Sequence, residues 1–116
     1  MMRYLEPEYL VPSHTRPLEG KEKIYNILTT YRDGIQFVHD QTVRLMNLGL
    51  GPDEIAEKLI LPKHLGDSPY LKEFYGSPAW SAKNVFSGYL GWFNGNPSSL
   101  KPLHLKDEAE NIIKLA

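Results

Sequence analysis

Cysteine is absent from this 116-residue chain. That excludes disulfide frameworks, thiolate zinc sites and cysteine nucleophiles, and leaves the redox compartment open. An excess of one charge sign is missing too: thirteen Lys and Arg stand against fourteen Asp and Glu, for a net charge of −1. So weak a field does not draw a chain onto DNA or anionic lipid, and no nucleic-acid partner is expected. Apolar runs last only a few residues, far short of the about 20 that span a bilayer, so no membrane span is expected. Met1 through Glu8 contains no apolar stretch of signal-peptide length, and the compartment stays undetermined. Internal repeats and low-complexity segments are lacking. Gly88-Tyr89-Leu90-Gly91 has no Lys-Ser/Thr after it and makes no phosphate loop, and no elbow motif presents a serine nucleophile.

What remains is an ordinary globular composition, 41% hydrophobic and 23% charged, in a chain long enough for one core. Nine Gly and nine Pro punctuate it heavily. Tyr9-Leu10-Val11 is a strand-like run stopped by Pro12 and followed by Ser13-His14-Thr15-Arg16-Pro17. Each proline disfavours helix at the residue before it, so the piece is extended. A strand this short needs a sheet, and no other segment offers a convincing partner, so residues 1–19 are expected to be mobile or irregularly packed.

From Lys21 the pattern is helical. Ile24, Ile27, Leu28, Tyr31, Ile35, Val38, Thr42, Leu45 and Met46 recur at spacings of three and four until Gly49 offers a stop. The spacing predicts one helix of about 42 Å, with Gly34 as the place for a kink. A compact chain of this length measures about 35 Å across, so the helix overhangs its own globule and its stripe calls for cover by another chain or domain. Gly51-Pro52-Asp53-Glu54 opens a short second helix to about Ile60, ended by Pro62. Ser68-Pro69 begins about one turn, closed at Gly76. Ser77 caps a third helix carrying Trp80, Val85, Phe86, Tyr89, Leu90, Trp92 and Phe93, apolar around most of its circumference. After the turn Asn94-Gly95-Asn96-Pro97, an extended stretch leads to a last helix over Lys106–Ala116, which reaches the chain's end uncapped, as a cut segment would.

Four histidines raise the question of metal. None belongs to a His-x-His, His-x-x-x-His or His-x-x-Glu-His cluster, so no self-contained zinc motif exists. His14 alone sits where ligands commonly project, in a proline-framed loop after a strand. His39-Asp40 is similar to the metal-binding dipeptide of a phosphohydrolase family whose other ligands are absent. A hydrogen bond, or an ion pair from Asp40 to Arg44 four residues on, accounts for it better. The aromatic third helix, with Tyr70, Phe74 and Tyr75 before it, is a candidate wall for an apolar substrate channel, against the plainer reading of core or interface packing.

Three stretches carry a wider likeness: Tyr31-Arg32-Asp33-Gly34-Ile35-Gln36-Phe37-Val38-His39-Asp40-Gln41-Thr42-Val43-Arg44; Pro52-Asp53-Glu54-Ile55-Ala56-Glu57 on to Leu61-Pro62; and Glu73-Phe74-Tyr75-Gly76 with Gly88-Tyr89-Leu90-Gly91-Trp92-Phe93-Asn94-Gly95-Asn96-Pro97. Through them the sequence resembles the alkylsulfatases of the metallo-β-lactamase superfamily. The resemblance implies a mainly α fold: residues 20–116 as a truncated helical dimerisation domain with one long helix, and residues 1–19 as the extended end of a metallo-β-lactamase-like catalytic domain. It implies His14 as the last zinc-ligand position, and Trp80, Tyr89, Trp92 and Phe93 beside the substrate path. It also implies a homodimer through Ile24, Ile27, Leu28, Tyr31, Ile35 and Val38, with the rest of the catalytic domain as the other partner. The His-x-His-x-Asp-His cluster of that superfamily is absent.

The expected role is thus a structural and dimerisation segment of a zinc-dependent enzyme, cytoplasmic or periplasmic, that hydrolyses alkyl sulfates to alcohol and sulfate. The segment itself is expected to be inert and to hold no zinc. A stand-alone binding module that uses an exposed apolar stripe is the alternative; a hydrolase built on His39-Asp40 comes third.

Overall fold

A computed structural model describes residues 2–115; the last helix's expected end at Ala116 lies outside them. Helix α1 (Lys21–Asn47) holds 27 residues and is about 40 Å long. It starts after Gly20, at φ 103°, and passes through Gly34 unbroken. A Cβ at Gly34 would lie 3.0 and 3.3 Å from the two terminal methyls of Leu71, so this glycine lets another segment press against the helix instead of kinking it. At the other end Gly49 takes φ 83°. Its N–H donates to the Met46 carbonyl at 2.8 Å, and that of Leu50 to the Leu45 carbonyl at 3.2 Å. These two bonds close the helix as a Schellman stop.

The chain then turns back. In α2 (Pro52–Lys58) proline fills the first helical position, and the Glu54 carboxylate accepts the Gly51 N–H at 3.1 Å. The helix stops two residues short of Ile60, and a four-residue helix, α3 (Lys63–Gly66), follows Pro62. The turn expected at Ser68-Pro69 is a 3-10 turn over Pro69–Leu71. Helix α4 (Pro78–Leu90) begins as anticipated, with the Ser77 hydroxyl accepting the Trp80 N–H at 3.1 Å. It ends earlier than its apolar content suggests, because Gly91 adopts φ 85°; Trp92 and Phe93 therefore lie beyond the helix. A 3-10 turn at Pro97–Leu100, capped by Asn96, replaces part of the extended stretch before α5 (Leu105–Leu115).

The C-terminal half of α1 packs with α2 and α4. Val38 and Leu45 meet Ile55, Leu59, Ala82 and Phe86, with Met46, Leu50 and Leu61 at the rim. Thr42 is the polar member of this buried set, and its hydroxyl donates to the Val38 carbonyl at 2.6 Å. The fold is mainly helical, as its periodicity indicates.

The N-terminal strand finds a partner that the sequence did not advertise. Strand β1 (Tyr9–Leu10) pairs antiparallel with β2 (Leu18–Glu19), Tyr9 opposite Glu19 and Leu10 opposite Leu18. Two residues between Pro17 and Gly20 are too few for an alternating pattern, which is why β2 escapes detection. The ribbon and the preceding 3-10 turn (Met2–Leu5) pack on the N-terminal half of α1. Ile24 and Ile27 are buried there, and the Arg3 guanidinium lies 5.0 Å from the Tyr4 ring centre and 5.3 Å from that of Tyr25.

The molecule is elongated, 58 × 32 × 24 Å, with a radius of gyration of 19.0 Å against about 13 Å for a compact chain of this length. It exposes 9152 Å², where a compact monomer of this mass exposes about 6,500 Å². Helix α5 contributes to that excess, since none of its described residues is buried.

Candidate functional site

A groove of about 1040 Å³ lies on one side of α1. Its floor is the middle of α1, where Tyr31, Ile35 and His39 fall on one face at spacings of four. One wall is the segment from Pro69 to Pro78, which carries Tyr70, Leu71, Phe74 and Tyr75; Ser81 and Val85 of α4 continue it. The loop Pro12–Thr15 reaches over from the N-terminal ribbon and brings in His14. Gly34 allows the wall to approach, through its contact with Leu71.

Two histidines meet aromatic rings at this groove. The His14 ring lies 5.3 Å from that of Tyr75, tilted by 34°. His39 joins a chain of three side chains: its Nδ1 lies 2.9 Å from an Asp40 carboxylate oxygen, and its Nε2 lies 3.0 Å from the Tyr89 hydroxyl. With the neutral ring, Nδ1–H donates to Asp40 and the phenol donates to Nε2. This chain ties α1 to α4 at the rim. The hydrogen bond from His39 holds the Asp40 carboxyl below the usual carboxylate range, with a second contribution from Gln36. The alternative pairing of Asp40 with Arg44 does not occur; the Arg44 Nε donates instead to the Gln41 amide oxygen at 2.8 Å.

Among the described residues no three His, Asp or Glu side chains gather as a metal site. The nitrogens of His39 are engaged; His64 is in α3, and the His104 ring accepts the Lys106 N–H at 3.4 Å. The aromatic candidates divide. Trp80, Tyr89, Trp92 and Phe93 do not line the groove, and Trp92 and Phe93 meet edge to face at 5.8 Å. Tyr70, Phe74 and Tyr75, just before α4, do line it. Leu61 and Leu71 belong to it as well, and they were missed because isolated leucines in a Pro- and Gly-rich connection show no period.

The six α1 residues expected at a dimer interface also divide. Ile24, Ile27 and Val38 are buried within this chain; Leu28 is half-buried, Tyr31 is 41% exposed and Ile35 68% exposed. The last two face the groove.

Comparison with known proteins gives this architecture relatives. Residues 51–116 match the family profile described as alkyl sulfatase dimerisation. A linear primary-alkylsulfatase of a Pseudomonas species is 45% identical over 115 residues, covering 98% of this chain and 22% of that protein. An alkyl/aryl-sulfatase of Saccharomyces cerevisiae is 38% identical over 96 residues, 83% of this chain and 15% of that protein. Among solved structures, a stereoselective inverting sec-alkylsulfatase from Pseudomonas sp. superposes with a TM-score of 0.81 at 30% identity, covering 93% of this chain and 17% of that one. The chain thus spans about a fifth or less of the length of the relatives it matches.

Proposed function

Since the chain belongs to the alkyl sulfatase dimerisation family, we propose that it is the self-associating helical segment of an enzyme that hydrolyses alkyl sulfate esters. One observation carries this reading: likeness to a linear primary-alkylsulfatase runs along 98% of the chain at 45% identity, so the N-terminal ribbon is included with the helices. Residues 1–19 are then the end of a catalytic unit and 20–116 the helical unit, with two copies joined as a homodimer.

Zinc does not fit the residues of this chain alone. His14 rests against Tyr75, and no second and third ligand stand near it among the described residues, whereas a catalytic zinc takes three protein ligands. Ester hydrolysis is accordingly a property of the whole enzyme, in which His14 supplies a last ligand and the remainder of the catalytic unit supplies the others. The isolated chain is inert toward alkyl sulfates.

Sedimentation of the purified chain at tens of micromolar tests the reading, together with sulfate release from decyl sulfate with and without added zinc. A dimer without enzymic sulfate release is expected. A monomer throughout the range overturns the self-association, and turnover by the isolated chain overturns its supporting role.

The groove favours a second reading, a stand-alone binding module. Its apolar floor and walls suit an alkyl chain. That reading gains if decyl sulfate below its micellar threshold shifts the NMR signals of Ile35 and Phe74 in the absence of any dimer.

A further inference from the structure

The His39-Asp40 pair has no metal to hold, yet a third group from another helix completes it. Asp40 and His39 adjoin on α1, and Tyr89 comes from α4, 50 residues further along the chain. The carboxylate lies 2.9 Å from Nδ1, and Nε2 lies 3.0 Å from the phenol oxygen. Carboxylate, imidazole, hydroxyl is the order in which a general base stands between the group that orients it and the group whose proton it takes. With Nδ1–H given to Asp40, the basic lone pair of Nε2 points at Tyr89. Asp40, held below the usual carboxylate range by its bond to His39, is placed to steady an imidazolium. All three side chains belong to this chain, so the arrangement is complete without a partner.

We propose that Tyr89 is an acyl-accepting nucleophile, with His39 as its base and Asp40 as the residue that positions the base, and that its substrates are carboxylic esters with an apolar acyl group. The phenol oxygen attacks the carbonyl carbon while its proton passes to His39 Nε2. Collapse of the tetrahedral intermediate breaks the bond from that carbon to the leaving oxygen, which takes the proton from Nε2. The products are an acyl ester of Tyr89 and a free alcohol or phenol, with His39 neutral again. Reactivity and surroundings select this class. A carbonyl carbon is planar and open to an oxygen nucleophile, whereas the sulfur of an alkyl sulfate is screened by negatively charged oxygens. His39 also lines the groove, where Tyr31, Ile35, Val38 and Val85 offer apolar surface to an acyl chain.

The chain supplies its own controls. Tyr75 is more exposed than Tyr89, 82% against 61%, and meets a histidine by ring contact; Tyr9 donates its hydroxyl to the Glu19 carboxylate at 3.3 Å. The full chain is treated with p-nitrophenyl butyrate, and acylation is located by peptide mass spectrometry. Wild type, Tyr89→Phe, His39→Gln and Asp40→Asn are compared, with circular dichroism melts of each. A positioned general base contributes about 10²–10⁴-fold, so Tyr89 is expected to be acylated at least about tenfold faster than Tyr75 or Tyr9. In His39→Gln the amide can still hydrogen-bond the phenol but cannot take its proton, and the rate at residue 89 should fall to that of the controls. Asp40→Asn should lower it severalfold, and Tyr89→Phe should abolish labelling of that peptide. An imidazole is a base only when neutral, so the wild-type rate at Tyr89 should rise with pH across the histidine range, about pH 5–8. His14 and Lys72, the other groups of the groove able to carry positive charge, are unchanged in every variant, so a pH step removed by His39→Gln belongs to His39.

Acylation of Tyr89 no faster than that of Tyr75 overturns the proposal. An unchanged rate in a His39→Gln variant that melts like wild type does so too, and reduces the three side chains to a tie between α1 and α4. Should His39→Gln lose its cooperative melt, the wild-type pH profile decides: a step at Tyr89 that Tyr75 lacks supports the base, and profiles that match overturn it.

Discussion

Val38 shows how one residue changes meaning once its neighbours are known. On the sequence it is one of a stripe awaiting a partner; in the fold it sits among Leu45, Ile55 and Phe86. Val38→Asp therefore buries a charge within the chain and is expected to cost at least about 3 kcal/mol, read as loss of the cooperative melt and not as dissociation of a folded dimer. Gly34 sets two effects against each other. Gly34→Ala gains about 1 kcal/mol of helix propensity, but its methyl meets Leu71 at 3.0 Å, and overpacking costs about 1–3 kcal/mol. A small net destabilisation is expected, and a double-mutant cycle with Leu71→Ala should return a coupling above about 0.5 kcal/mol. Asp40 supplies a pH signature. Its carboxyl titrates lower in the folded chain than its ordinary value of 3.8, so the folded state binds that proton more reluctantly. The stability this adds is present above the ordinary value and is lost as pH falls through the lowered one. Wild type and Asp40→Asn should differ in melting temperature at pH 6 and converge in strong acid.

Among the elements, α4 depends on a single hydroxyl at its start. Ser77→Ala removes the acceptor for the Trp80 N–H and should destabilise the fold by about 1 kcal/mol, while Ser77→Asp should retain most of it; thermal melts of the pair decide. Helices α1 and α4 were legible because apolar residues at spacings of three and four, a capping serine and the glycine stops act within a few residues of one another. The end of α4 was not, since apolar Trp92 and Phe93 extend the pattern past Gly91, and it is backbone conformation at that glycine, not hydropathy, that ends the helix. Strand β2 was illegible for want of length. The groove was half legible: Tyr70, Phe74 and Tyr75 stood out as aromatics, but their meeting with Tyr31 and Ile35 depends on a turn at Pro69–Leu71 folding back onto Gly34, a long-range event without local signature.

For the molecule as a whole, the excess of exposed surface has a thermodynamic counterpart. Association stabilises only the folded form, so the melting temperature of a self-associating chain depends on its concentration. Between 1 and 100 µM it is expected to rise by several degrees, measured by circular dichroism; a concentration-independent midpoint would show that folding gains nothing from a second copy. The long helix adds a mechanical consequence. One half of α1 is seated between α2 and α4, the other carries the N-terminal ribbon and, through it, the loop of His14. It is a lever arm whose fulcrum is the helical core: a tilt of ~5° at that end displaces the far end by about 3.5 Å over its ~40 Å length. Slight repacking around Ile55 would therefore be magnified at the N-terminal ribbon, at the opposite end of α1.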